Sequence, residues 1–237
     1  MAFEPFNHIL RGIQGVFGGA QGQNAQQIAY MRQLQREITS EDKLKIPLEK
    51  LNVVIFDIET TGFYPDQGDA IISIGAIRVC GNVIQEADKF YSLVRYEKTL
   101  PEKIVKLTGI TNPDLKDAPP LSEVLLKFFK YVKDDTLVAH HAAHEKSFIQ
   151  HASWKLFRTN FKHRIVDTSF LYRVAEPTEK LIRLDDFCTH NGIPVIARHH
   201  ALGDAKLTAQ LWCLYMEKLQ KEGYKNLKEI YERVARL

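Results

Sequence analysis

The chain has 237 residues, 45% hydrophobic and 26% charged, a composition that predicts a globular protein with a sizeable core and excludes wholesale disorder. The formal net charge of +3 is too small to indicate a nucleic-acid partner by itself. Three widely separated cysteines, Cys80, Cys188 and Cys213, argue against a disulfide framework or a structural zinc site. The longest charge-free run, residues 12–31, contains six Gln or Asn residues and lacks the apolar stretch of a signal peptide. We therefore expect a soluble, cytoplasmic protein.

Residues 1–50 differ from the rest of the chain because they are rich in Gly and Gln. Within them, Ile28, Met31, Leu34 and Ile38 recur at helical spacing, which predicts a short helix over residues 25–38. Two interpretations stay open. The segment is either a helical extension that folds back on the main domain, which single amphipathic helices usually do, or an arm that docks on a partner protein.

From residue 51 onwards, strand patterns come first and helices follow. The apolar run 51–56 predicts a buried central strand, residues 70–79 a second strand, and Gly81-Asn82 a hairpin turn into a third strand over 83–94. Strands over 136–139 and 165–167 then alternate with helices over 101–107, 121–132, 145–151, 184–191 and 201–220. This order predicts an α/β fold with helices around a mixed sheet. We divide the chain into an extension (1–50), a main domain (51–220) and a helical C-terminal tail (221–237).

Two carboxylates follow the first predicted strand. Because side chains alternate along a strand, Asp57 and Glu59 point to the same side. Two acids at the end of an apolar strand are costly unless a positive group meets them, and a hard divalent cation such as Mg²⁺ or Mn²⁺ suits such oxygen ligands. The alternative is that the strand has ended and both acids are solvated.

A second polar group lies where the long C-terminal helix begins. Asp204 falls in the first turn of that helix, and His199 precedes it by five residues. Acids are favoured at helix N-termini for structural reasons alone. The same spacing also places an imidazole and a carboxylate around one site, where the imidazole is suited to act as a general base near neutral pH.

Other short segments lie between these two in a fixed order. They are Leu-Thr-Gly-Ile-Thr at 107–111, Leu-Val-Ala-His at 137–140 and Val-Asp-Thr at 166–168. Together with Asp57-Ile58-Glu59-Thr60-Thr61-Gly62 and the pair His199 and Asp204, they resemble the DEDDh family of 3′–5′ exonucleases, relatives of the proofreading epsilon subunit of bacterial DNA polymerase III. The resemblance covers about residues 50–220 and implies an RNase H-like fold with a mixed five-stranded sheet.

The resemblance also implies a metal centre. In that family a quartet of carboxylates binds two divalent metal ions, Mg²⁺ or Mn²⁺. Carried over, Asp57 bridges both ions, Glu59 and Asp204 hold the ion that activates a water, and His199 takes the proton of that water.

The middle motif departs from the family pattern, which reads Ala-His-Asn-Ala-x-Phe-Asp. Here residues 139–145 read Ala-His-His-Ala-Ala-His-Glu, so Glu145 stands in the place of the fourth carboxylate. Its extra methylene is expected to weaken the second ion or to shift the preference towards Mn²⁺. Asp167 is a lower-ranked substitute for Glu145, and His144 is interpreted as a packed or surface histidine rather than a ligand.

The resemblance places the substrate beside the metals, at Thr60, Thr61, Gly62, Phe63 and His141. Packing within a hairpin is an equally good interpretation of Phe63. Residues 146–183 carry eight Lys or Arg against three Asp or Glu, which suits a phosphate backbone or a solvated helix face.

We therefore expect a metal-dependent 3′–5′ exonuclease that releases nucleoside 5′-monophosphates from single-stranded or frayed DNA. If the docking interpretation of residues 1–50 holds, a DNA polymerase is the expected partner of that segment. The alternatives are an RNA exonuclease and a catalytically weak nucleic-acid-binding module.

Overall fold

The computed structural model describes residues 20–38 and 43–237. Its strands are β1 (Asn52–Thr60), β2 (Ile71–Cys80), β3 (Val83–Leu93), β4 (Thr136–Ala139) and β5 (Ile165–Asp167). Its helices are α1 (Ala20–Glu37), α2 (Glu102–Thr108), α3 (Asn112–Lys116), α4 (Leu121–Val132), α5 (Ala143–Phe157), α6 (Ser169–Ala175), α7 (Leu184–His190), α8 (Ala201–Lys221) and α9 (Leu227–Val234). Short 3₁₀ turns cover Lys43–Lys45, Leu48–Lys50 and Pro65–Gln67.

The strands form one mixed sheet in the order β3–β2–β1–β4–β5. β1 pairs antiparallel with β2, and β2 pairs antiparallel with β3, whereas β4 joins β1 in parallel and β5 joins β4 in parallel. The predicted α/β fold with a mixed five-stranded sheet and flanking helices is confirmed.

The first strand is longer than its apolar run. The run ends at Phe56, but the ladder with β2 continues through Asp57 opposite Gly75 and Glu59 opposite Ser73. Backbone pairing therefore sets the end of β1, and both acids lie within the strand rather than after it.

The two faces of β1 pack against different helices because its side chains alternate. Val53 and Ile55 belong to a core cluster with α6, α8 and α9, while Val54, Phe56 and Ile58 belong to a cluster with α4 and α5. Asp57 and Glu59 continue the alternation that begins with Val53 and Ile55, so they lie on the same face of β1 as those two residues. Asp57 and Glu59 are thus directed to the face that α8 covers, and α8 carries Asp204.

Gly75 permits the close approach of α8 to the sheet. A Cβ atom at this position would lie 2.1 Å from the backbone nitrogen of Leu202, in the first turn of α8. Because Gly75 is also the antiparallel partner of Asp57, the missing side chain brings the start of α8 next to the acidic end of β1.

The described part of residues 1–50 packs on the rest of the chain. Met31 of α1 is fully buried in the cluster with α4 and α5, and Gln35 accepts a hydrogen bond of 2.9 Å from the backbone nitrogen of Lys162. Leu48 and Leu227 are buried in the other cluster. The division of the chain at residues 50 and 220 stays a prediction, and residues 1–19 and 39–42 of the predicted extension lie outside the described residues.

The prediction missed two short helices, α3 and α6, which have five and seven residues and too few turns to show a periodic pattern. It also placed only residues 145–151 in α5, which runs from Ala143 to Phe157. Among the helices described, none is both long and apolar enough to cross a membrane.

Candidate active site

Three carboxylates converge where β1 meets α8. One oxygen each from Asp57, Glu59 and Asp204 lies within 4.8 Å of the others, and we call these three residues the acid cluster. Glu59 and Asp204 are buried, with 8% and 4% of their surfaces exposed. The alternative of two solvated acids after the strand is therefore wrong.

Two carboxyl groups of the acid cluster have raised pKa values. Burial, together with the carboxylate of Asp204, raises the pKa of Glu59 to about 7. Burial, followed by the charges of Glu145, Glu59 and Asp204, raises the pKa of Asp57 well above its ordinary value. Without a cation, Asp57 and Glu59 therefore keep their protons to a higher pH than ordinary carboxyl groups do.

Glu145 approaches the acid cluster from α5, where it lies in the first turn. It is 5% exposed, and burial raises its pKa to about 8. Its charge reaches Asp57, although its oxygens lie outside the mutual 4.8 Å set. Oε2 of Glu145 is buried and has no hydrogen-bond partner in the part of the chain that the structure describes. A fourth carboxylate is thus available beside the cluster, and its role as a ligand stays a prediction.

Asp167 is used differently. Its Oδ2 accepts a hydrogen bond of 3.0 Å from the backbone nitrogen of Ala142, and its Oδ1 accepts one of 2.8 Å from that of Ser169. Both oxygens therefore hold the backbone where α5 and α6 begin. This arrangement favours Glu145 over Asp167 as the fourth carboxylate, as the sequence ranking proposed.

Asp204 is oriented by neighbours that the sequence analysis did not identify. Its Oδ2 accepts hydrogen bonds from the guanidinium of Arg198 and, at 3.1 Å, from the backbone nitrogen of His199. The same Arg198 also contacts Asp185 of α7. Oδ1 of Asp204 is buried and has no partner among the described residues. Oδ2 of Asp204 is thus held by hydrogen bonds, while Oδ1 is left for a ligand. The position of Arg198 directly before His199 was the sequence feature that could have indicated this contact.

The two adjacent histidines before α8 differ in their contacts. His200 caps the helix, because its Nδ1 accepts a hydrogen bond of 3.3 Å from the backbone nitrogen of Gly203, and its ring stacks on Tyr91 with centroids 4.6 Å apart. His199 has a left-handed backbone, with φ of 57°, and within the described ranges its imidazole has no hydrogen-bond partner. His199 is therefore the histidine whose ring is left for chemistry.

Four of the predicted substrate residues, Thr60, Thr61, Gly62 and Phe63, lie at the end of β1 and in the loop that follows it. The Thr60 hydroxyl donates to the carbonyl of Gly62 at 2.6 Å, and the Thr61 hydroxyl accepts from the backbone nitrogen of Ala70 at 3.0 Å. Phe63 is 72% exposed, and its ring meets the edge of His144 at a centroid distance of 5.7 Å. The loop is thus held by its own hydroxyls and presents an aromatic ring to solvent.

Two histidines of the middle motif are engaged with the protein. Nε2 of His144 lies 3.4 Å from the Thr60 hydroxyl, and its ring packs on Phe148, which agrees with its interpretation as a packed histidine. Nε2 of His141 donates to the carbonyl of Ile182 at 2.7 Å. His141 therefore anchors the segment before α7, and its predicted contact with substrate stays a prediction.

Residues 54–212 match the model of an exonuclease family, RNase_T, and this range contains the acid cluster, Glu145 and His199. The chain belongs to this exonuclease family. The predicted resemblance to DEDDh 3′–5′ exonucleases is confirmed, and so is the class of enzyme.

Relatives of the exonuclease include polymerase proteins. The chain is 38% identical over 177 residues to "DNA polymerase III PolC-type" of Caldanaerobacter subterraneus subsp. tengcongensis. It is 34% identical over 179 residues to "DNA polymerase III subunit epsilon-like protein" of Rhodobacter capsulatus. Each alignment covers 75% of this chain, but only 12% and 25% of those two relatives. The chain thus spans a small part of the relatives it matches.

Solved structures share the fold of the exonuclease. The nuclease domain of 3′hExo, a DEDDh family member bound to rAMP, superposes with a TM-score of 0.62 at 19% identity, covering 74% of this chain and 96% of that one. Exonuclease X in complex with 5′ overhanging duplex DNA gives 0.58 at 21% identity, with 75% and 98% covered. The predicted RNase H-like architecture is confirmed.

The residues of the exonuclease site fit divalent metal ions. Two buried carboxylate oxygens, Oδ1 of Asp204 and Oε2 of Glu145, have no partner in the described chain, and an orphaned buried charge is costly. Their hard oxygen chemistry matches Mg²⁺ or Mn²⁺ rather than a soft metal. A divalent cation would supply the positive charge that raises the stability of the ionised cluster.

Proposed function

We propose that this exonuclease removes nucleoside 5′-monophosphates from the 3′ end of single-stranded or frayed DNA, in a reaction that requires two Mg²⁺ or Mn²⁺ ions. The observation that carries the proposal is the convergence of Asp57, Glu59 and Asp204 from distant parts of the chain within 4.8 Å. DNA is favoured over RNA because the PolC-type relatives, at up to 38% identity, are named as DNA polymerases.

The proposed roles of the residues follow from their positions. Asp57, Glu59, Asp204 and Glu145 would hold the ions through their carboxylate oxygens. When bound, divalent ions make a water more acidic and stabilise negative charge on the attacking and leaving oxygens of an in-line displacement. His199, whose ring is free of protein partners among the described residues, would accept the proton of the attacking water on a ring nitrogen. Phe63, exposed beside Thr60, would stack on the terminal base.

The proposal is tested on a short DNA strand labelled at its 5′ end, which shows shortening, and on one labelled at its 3′ end, which shows the released nucleotide, with Mg²⁺ and Mn²⁺ in separate reactions. The wild-type protein is expected to shorten the strand stepwise and to release mononucleotides, and Asp57→Ala to lose at least about a thousandfold in rate. Glu217→Gln, an exposed acid further along α8, is the matched control and should keep the full rate. Undiminished cleavage by Asp57→Ala ends the proposal.

The same assay separates the rival functions. A matched RNA strand that is degraded faster than DNA would identify an RNA exonuclease. Binding of DNA without turnover in either metal would identify a nucleic-acid-binding module, in which Glu145 fails as the fourth carboxylate.

We also propose that residues 1–50 recruit a DNA polymerase, since one relative is named "DNA polymerase III PolC-type" and another "DNA polymerase III subunit epsilon-like protein". Met31 and Gln35 of α1 face the domain itself, which leaves the opposite side of α1 for a partner. Deletion of residues 1–19 should abolish co-purification with a replicative polymerase and leave oligonucleotide cleavage unchanged. Retained co-purification would exclude those residues from the arm.

A further inference from the structure

A groove runs along α5 away from the acid cluster. Its volume is about 480 Å³, and it lies between α5 and the 3₁₀ turn that follows β1. Its lining includes Pro65, Asp66, His151, Trp154, Asn160 and Phe161. A smaller hollow of about 260 Å³ shares Trp154 and adds Lys155 and Arg158.

A stripe of residues on α5 leads from the neighbourhood of the acid cluster into the groove. His144, Ser147, His151 and Trp154 follow each other at spacings of three and four residues and therefore form one stripe on α5, and Arg158 comes directly after the helix ends at Phe157. The stripe begins at His144, which contacts the Thr60 hydroxyl and the ring of Phe63 beside the acid cluster. With a helical rise of about 1.5 Å per residue, Trp154 lies about 15 Å further along the helix.

The chemistry of the groove suits a single nucleic-acid strand. Trp154 is 55% exposed, and its ring stacks on no other described aromatic side chain. Lys155 and Arg158 are exposed beside it and make no ion pair with any described residue. Exposed aromatic faces alternating with cations are the pattern by which proteins bind single strands without sequence preference. Lys155 and Arg158 are also two of the eight Lys or Arg residues that outnumber the acids over residues 146–183.

One acid lies in the groove. Asp66 is exposed, and its Oδ1 accepts a hydrogen bond of 2.8 Å from Nδ1 of His151. This contact joins the 3₁₀ turn after β1 to α5, and both residues line the groove.

We propose that this groove binds the strand upstream of the scissile bond, with Trp154 stacked on a base and with Lys155 and Arg158 against phosphates. This inference rests on the proposed nuclease function, because the acid cluster defines where the 3′ end lies. At the spacing of about 3.4 Å between stacked nucleotides, 15 Å corresponds to about four nucleotides, and to fewer in an extended strand. A dinucleotide therefore should not reach Trp154, whereas a ten-nucleotide strand should.

Binding is measured first, in EDTA, so that no cleavage occurs. The chain has two tryptophans, and Trp212 is buried at 1% exposure, so a ten-nucleotide thymidine strand should quench the fluorescence of Trp154. Trp154→Ala should weaken the affinity for this strand by about tenfold or more, while Trp154→Phe should retain most of it. Arg158→Gln should lower the slope of log K against log salt by about 0.7, and the remote Lys228→Gln should leave it unchanged.

Cleavage then separates this inference from the proposed function. The p-nitrophenyl ester of thymidine 5′-monophosphate reports the chemistry without reaching the groove. Trp154→Ala should keep the rates on the ester and on the dinucleotide but raise KM for the ten-nucleotide strand. The proposed role of the groove is overturned if Trp154→Ala binds the ten-nucleotide strand as tightly as the wild type does. It is also overturned if Trp154→Ala loses activity equally on the ester, the dinucleotide and the ten-nucleotide strand. Failure of the wild-type protein to cleave the ester or either strand overturns the function instead.

Discussion

Two clusters of charged side chains lie on opposite faces of the central strands and are satisfied in opposite ways. On one face, Arg78 of β2 donates to Asp88 at 2.7 Å, to Asp135 and to the carbonyl of Tyr131 at 2.7 Å; we call these four residues the Arg78 network. On the other face lies the acid cluster, in which Arg198 contacts Asp204, and Glu145 approaches the cluster from the start of α5 as a fourth carboxylate.

The difference teaches how a structural charge cluster is distinguished from a functional one. In the Arg78 network every polar group of the cation has a partner, so the network holds α4 and the strands together. In the acid cluster the negative charges exceed the positive ones and buried oxygens remain unpaired. Such a cluster destabilises the fold by itself, and it is retained where a ligand supplies the missing charge.

The largest expected effect comes from neutralising the acid cluster. Asp57→Asn should lose at least about a thousandfold in nuclease rate, yet the metal-free protein should unfold at a higher temperature than wild type, because folding no longer has to protonate this carboxyl group or hold its charge beside three other acids. Thermal unfolding in EDTA at pH 8 measures this. A lower unfolding temperature would show that Asp57 stabilises the fold and would remove the contrast between the two clusters.

The Arg78 network should respond in the reverse direction. Arg78→Gln leaves the partly buried Asp135 without its cation, so the free energy of unfolding should fall by about 1–3 kcal/mol. The rate per folded molecule should stay that of wild type. Urea unfolding and the ester assay check the two halves of this prediction, and a large loss of rate in the folded variant would contradict it.

A smaller effect is expected at the cation that touches the acid cluster. Arg198 anchors Oδ2 of Asp204 and leaves Oδ1 free, so it positions a ligand oxygen. Arg198→Gln should weaken Mn²⁺ binding by about tenfold, or about 1.4 kcal/mol, and Arg198→Lys should recover part of the affinity. Calorimetric titration with Mn²⁺ alone measures this. Tighter binding by Arg198→Gln would show instead that the guanidinium competes with the metal.

The smallest expected effect is a pH dependence of stability. The pKa values of Glu59 and Glu145 are raised to about 7 and about 8, above the ordinary value of about 4.3 in an unfolded chain. The folded state therefore binds more protons, and the stability that this gives below about pH 4.5 is lost as the pH rises to about 8. Mg²⁺ removes the penalty, so the increase in unfolding temperature that it causes should be a few degrees larger at pH 8 than at pH 6. An increase that is the same at both pH values would contradict the burial of these charges.

The sequence by itself determined much of the fold and most of the site. The apolar run at residues 51–56 and the turn at Gly81-Asn82 predicted the first strands, and the order of the acidic motifs predicted the family and the residues that converge. These features are local or are ordered along the chain, so they can be recognised without coordinates.

Only the tertiary structure decided how the groups meet. Three features depend on how segments of the chain pack. Arg198 donates a hydrogen bond to Asp204, both oxygens of Asp167 accept hydrogen bonds from backbone nitrogens, and Gly75 allows α8 to approach the sheet. The groove beside Trp154 likewise arises where the loop after β1 packs on α5. The periodicity of a sequence shows which face of a helix or strand a residue occupies. The partner that its side chain contacts depends on how distant segments pack together, which the periodicity does not show.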